Sequence, residues 1–131
     1  MIKILTYSAL LFSGKPKNYF KNYKNRFNLN ELVELHHIIP RQFKKHPAIL
    51  LSKYEIENGY NFIYLPTYKG SKVLNLHHDR PLHVNGHANY NSYICFVLDN
   101  MYKDEIINEN NMCEFNIFLR ENMRHLNIPW Y

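Results

Sequence analysis

Leu35-His36-His37-Ile38-Ile39-Pro40, residues 35–40, joins two adjacent histidines to an apolar run and a stop. Leu32, Val33 and Leu35 lead into the pair, and the whole reads as a short strand ended by Pro40, whose missing N–H cannot serve a ladder. Alternation along a strand turns the rings of His36 and His37 to opposite faces. One imidazole is then available to a metal ion while its neighbour addresses a water molecule.

Downstream, Arg41–His46 has room for one helical turn. Tyr60–Leu65 (YNFIYL) is aromatic and β-branched, lies between Asn58-Gly59 and Pro66, and reads as a second strand. Thr67–Asp79 reads as an irregular loop. His83-Val84-Asn85-Gly86-His87 follows, and its i, i+4 spacing puts two imidazoles on one side of a helical turn. From Ala88 the period changes: Tyr90, Tyr93, Ile94, Val97, Leu98 and Met101 recur at three- and four-residue steps, the pattern of an amphipathic helix with a core stripe. Asn111 with Glu114 resembles a capping box opening a second helix that carries Met112, Phe115, Leu119, Met123 and Leu126 and ends before Pro129. Strands with loops followed by helices predict an α+β fold.

Upstream, Lys15–Phe27 (KPKNYFKNYKNRF) holds five basic residues, no acid, and Tyr19, Phe20, Tyr23 and Phe27 between them. Lysines among aromatics suit a phosphate backbone with stacked bases, and equally a surface helix with rings packed inward. The opening Met1–Phe12 is apolar apart from Lys3, Thr6 and Ser8. It is too short to span a bilayer and lacks a clean small-residue cleavage site, so a buried strand or helix and an intracellular or viral setting are expected. The 131 residues fit one domain, and 46% hydrophobic against 21% charged residues supply a core, which argues against disorder. The net charge of +5 is uneven. Residues 1–65 carry 10 − 4 = +6 and residues 66–131 carry 6 − 7 = −1, a basic half suited to a polyanion. Two cysteines exclude a disulfide scaffold or a Cys-rich zinc module.

His36, His83 and His87 as a ligand set would leave coordination positions open for water and substrate, the pattern of a catalytic rather than a structural metal site. Rival histidine chemistries are poorly matched. An HExxH peptidase needs a glutamate where Val84 stands, no H-x-H-x-D-H is present, and no G-x-S-x-G marks a nucleophile. His77-His78 read as loop residues, and His46 and His125 as surface residues.

The order Leu35–Pro40, then Asn61-Phe62-Ile63-Tyr64-Leu65-Pro66, then Leu82-His83-Val84-Asn85-Gly86-His87-Ala88-Asn89-Tyr90-Asn91 resembles the AHH-type nucleases of the HNH/endonuclease VII superfamily. The likeness runs from about Glu34 to Met101, and Leu35 stands where the family has alanine. It implies a ββα-metal core over about residues 32–101 within a single nuclease domain, with a basic, aromatic flank (1–31) and a helical flank (102–131). By position in the motif, His37 is implied as general base, and Asn61 as the residue whose carbonyl accepts from His37 Nδ1–H and leaves Nε2 free to act. His36, His83 and His87 are implied as ligands of a divalent cation: Mg²⁺, Mn²⁺, Zn²⁺ or Ni²⁺. The implied reaction is hydrolysis of phosphodiester bonds in DNA, leaving 5′-phosphate and 3′-hydroxyl ends, and RNA shares the same site chemistry. Arg41, Lys44, Lys45 and Arg80 near the motif, with Lys21, Lys24 and Arg26 upstream, are candidate phosphate contacts. The alternative keeps the fold without cleavage, as a metal-stabilised nucleic-acid-binding or virion structural protein.

Overall fold

The computed structural model of the chain describes residues 17–74 and 87–131. The apolar opening, the end of the 67–79 loop, His77, His78, Arg80 and His83 lie outside the described residues. In chain order the elements are helix α1 (Lys17–Arg26), strand β1 (Val33–His37), helix α2 (Pro47–Ser52), strand β2 (Phe62–Pro66) and helix α3 (Tyr68–Val73), then α4 (Ala88–Lys103) and α5 (Glu109–Met123). The strands pair antiparallel, with His36 opposite Ile63 and His37 opposite Phe62. Helices with a small antiparallel sheet make the α+β class.

The expected helix from Ala88 is present, with Tyr90, Ile94, Leu98 and Met101 buried. They pack with Met112, Phe115, Leu119 and Met123 of α5 and with Ile38, Ile39, Ile49, Ile63 and Leu65. Side chains this deeply buried contribute about 1.5–3 kcal/mol each, so the core rather than local propensity fixes both long helices. Among the described residues, no helix is long and apolar enough to cross a membrane.

Four local expectations are corrected. Strand β1 ends at His37 and does not continue through Ile39, because the side chain of Asn61 takes both the N–H and the C=O of Ile39. Part of the 67–79 loop is helical: Thr67 caps α3 by accepting from Gly70 N at 3.0 Å while its hydroxyl donates to Glu31 O at 2.8 Å. The second long helix starts three residues early, at Asn108, whose side chain accepts from Asn111 N at 2.7 Å, and it ends at Met123, short of Leu126. His46 is a cap and a staple, not a surface residue. Its Nδ1 accepts from Ala48 N at 3.0 Å at the start of α2, and Nε2–H donates to Asp99 on α4 at 2.7 Å. That bond holds the Asp99 carboxyl below the ordinary carboxylate range.

Gly70 is required by close approach. A Cβ there would lie 1.7 Å from Leu32 O, the carbonyl that also accepts from Thr67 N. Gly70→Ala is expected to destabilise the fold by at least about 2 kcal/mol, since backbone cannot yield as a side-chain tip can. Thermal denaturation checks this, and an unchanged melting temperature would contradict it.

Candidate active site

The alternation predicted for the histidine pair is observed. His36 turns to the face where its ring meets His87 (centroids 5.1 Å), Tyr90 (5.9 Å) and Trp130 (5.0 Å). His37 turns to the other face, against Phe62 at 4.7 Å. At the strand end the two faces meet in a cleft of about 190 Å³ lined by Leu35, His36, His37, Pro40, Arg41 and His87.

Residues distant in sequence hold the turn after His37. Asn61 is fully buried, and each of its polar atoms is used. Its Oδ1 accepts from Ile39 N (2.8 Å) and Tyr54 OH (2.6 Å), and its Nδ2 donates to Ile39 O (3.0 Å) and Ile56 O (2.8 Å). The expected bond from His37 Nδ1 to Asn61 is therefore replaced: the amide clamps the backbone beyond the histidines. Behind it, Asn116 Nδ2 donates to Tyr54 OH at 2.6 Å. Burial drives the Tyr54 phenol far above its ordinary range, which keeps it a donor to Asn61. Arg120 donates through Nη2 to Tyr60 O (3.0 Å) and Phe62 O (2.9 Å), fixing the start of β2. Burial lowers its pKa to about 10, and the guanidinium still carries charge at neutral pH. On the His36 side, the buried Tyr90 hydroxyl donates to Ile38 O, and Tyr90 N donates to Trp130 O at 3.2 Å.

His37 has a partner that the sequence did not disclose. Glu57 Oε1 lies 3.1 Å from His37 Nε2 and 3.3 Å from Arg41 Nε. A carboxylate only accepts, so a neutral His37 donates from Nε2–H and carries its lone pair on Nδ1. This reverses the expected assignment of the two nitrogens.

His36 and His87 are the described residues that could hold a cation. With metal–nitrogen bonds of about 2 Å, two imidazole centres on one ion at a tetrahedral angle stand about 5 Å apart, and these stand 5.1 Å apart. Neutral imidazoles suit Zn²⁺, Ni²⁺ or Mn²⁺ better than the oxygen-preferring Mg²⁺. Among the described residues no cluster reaches three His, Cys, Asp or Glu, and His83 lies outside them.

The basic candidates divide. Arg41 lines the cleft with its side chain 70% exposed, and Lys44 and Lys45 are exposed on the following turn. On α1, Lys21 and Arg26 are exposed, while Lys24 pairs with Glu34 at 3.7 Å. Part of this segment packs inward and part stays exposed. Phe20 packs inward on Phe62 and Tyr64, and Tyr19, Tyr23 and Phe27 remain 44%, 40% and 51% exposed along one side. His125 is exposed, as expected. Sequence reasoning missed Glu57, Trp130, Gln42 and Asn91. Of these only Asn91, one helical turn beyond His87, stood at a spacing that could have drawn notice.

The α+β class is consistent with a family assignment from sequence. Residues 18–116 match the model of AHH, a nuclease family of the HNH/ENDO VII superfamily with conserved AHH. The match covers most of the chain, and the protein belongs to this nuclease family. No curated protein and no solved structure matches the chain.

Proposed function

We propose that the protein is a metal-dependent endonuclease hydrolysing phosphodiester bonds in DNA, a single nuclease domain with a ββα-metal core over about residues 32–101. The observation that carries this reading is the histidine pair at the end of β1, with one ring 5.1 Å from His87 and the other on the opposite face against Phe62. His36, His83 and His87 would hold the divalent cation, which when bound supplies Lewis-acid stabilisation of charge on the scissile phosphate and the leaving 3′ oxygen.

His37 is the general base. A neutral imidazole can take a proton from water near pH 7, and with Nε2–H given to Glu57 the accepting atom is Nδ1. Asn61 acts on this step indirectly, as a positioning residue that holds the turn carrying the pair. Arg41, Lys44 and Lys45 beside the cleft, with Lys21, Lys24 and Arg26 on α1, contact the phosphate backbone, and Arg80 joins them. The exposed rings of α1 offer faces on which unstacked bases can rest.

Supercoiled plasmid and a matched RNA, each incubated with Mg²⁺, Mn²⁺, Zn²⁺ or Ni²⁺, test the reading. Nicked or linear plasmid that disappears on chelation is expected. Binding without cleavage under every ion would favour the non-catalytic alternative, and cleavage confined to the RNA would change the substrate.

Glu57 gives a prediction that separates orientation from binding. Glu57→Ala removes both the acceptor for His37 Nε2–H and the carboxylate facing Arg41. Its kcat is expected to fall at least about tenfold, part of the roughly 10²–10⁴ owed to a positioned base, while KM falls as Arg41 is freed for phosphate. Glu57→Gln retains an acceptor oxygen and should hold kcat near wild type. Steady-state cleavage of a labelled oligonucleotide reads both constants, and an alanine variant with unchanged kcat would show that Glu57 does not orient the base.

A further inference from the structure

We infer that Asn91, backed by Gln42, is the positioning residue that selects which nitrogen of His87 is offered to a cation. The inference rests on the metal role proposed for His87. That residue stands at the N-cap of α4, yet its side chain makes no capping bond. Its ring is set instead against His36, Tyr90 and Trp130. Its Nδ1 lies 3.1 Å from Asn91 Oδ1, one turn along the helix.

Asn91 Nδ2 donates to Gln42 Oε1 at 3.4 Å, which leaves the oxygen end facing His87. An amide oxygen only accepts, so Nδ1 must carry the proton. A neutral imidazole has a single N–H, and the lone pair therefore sits on Nε2. Metal-bound histidines commonly give their second nitrogen to such a partner, which fixes the tautomer and the ring plane.

Gln42 lies in the short 3₁₀ turn Arg41–Phe43, three residues beyond the strand that carries His36 and His37. The relay thus ties the β1 side of the cleft to the first turn of α4. The two elements that must bring His36 and His87 together are linked through the same atoms that set the His87 tautomer. Asn91 is half-buried, so neither a purely solvated side chain nor a core amide describes it.

The test uses the full chain, ¹⁵N-labelled and stripped of metal. Long-range ¹H–¹⁵N spectra of the imidazoles at about pH 8, where histidine is neutral, are expected to report the Nδ1–H form for His87. In Asn91→Leu the Nε2–H form should appear, and zinc affinity, read by competition with a chromophoric chelator, should weaken about 10–100-fold. Asn91→Asp, whose carboxylate accepts the same proton, should stay within a few fold of wild type. The wild-type tautomer needs no variant, so a poorly folding leucine variant leaves that readout intact. Zinc binding with His87 in the Nε2–H form, or equally tight binding by Asn91→Leu, overturns the inference alone. A wild type that takes up neither zinc, nickel nor manganese overturns the metal reading and the inference with it.

Discussion

His37→Ala is expected to lower plasmid cleavage by roughly 10²–10⁴-fold, the range for loss of a positioned general base, with nucleic-acid binding and the unfolding midpoint retained. The ring lies against one side of the buried Phe62, which also packs on Phe20, and donates to the half-exposed Glu57. Its removal should therefore cost stability no more than about 1 kcal/mol. A filter-binding isotherm alongside the nicking assay separates the two effects. Cleavage within threefold of wild type would remove His37 from the chemistry, and loss of binding in parallel with cleavage would make it a binding residue instead.

Asn61→Ala should do the opposite, abolishing activity by removing the fold. The substitution strands the N–H and C=O of Ile39, the C=O of Ile56 and the O–H proton of Tyr54, whose oxygen still accepts from Asn116, inside the protein. At about 1–3 kcal/mol for each buried group left without a partner, the loss is at least about 4 kcal/mol against a total of roughly 5–15 kcal/mol for a domain of this kind. Asn61→Asp should not rescue it, because a carboxylate cannot donate to the two carbonyls. Urea denaturation followed by circular dichroism measures this, and a midpoint near wild type would show that the turn holds itself.

These two variants mark what could be read from the chain without coordinates. A strand carrying His36-His37, the opposed rings and the long helix from Ala88 follow from periodicities of two and 3.6 residues, which the backbone enforces locally. The nearness of His36 and His87 was legible because the order of the motif resembles a known family. Helix starts were less legible: Asn108 and Asn111 are both competent caps, and packing of Met112 and Phe115 chose between them. The bonds of Asn61 and Glu57 were out of reach. A buried amide and a surface carboxylate look alike in sequence, and their partners at residues 37, 39, 41 and 54 are joined only by the tertiary turn. For the same reason the 102–131 flank gave no hint that Arg120 and Trp130 reach the site.

Trp130 stands against both His36 and His87, and its carbonyl receives the amide of Tyr90. During translation this indole leaves the ribosome well after the two imidazoles it covers. A nascent chain that has emerged only as far as α4 has both strand segments and the histidines but lacks the indole that packs on two of their rings. Order of synthesis thus separates the appearance of the histidines from the completion of their packing.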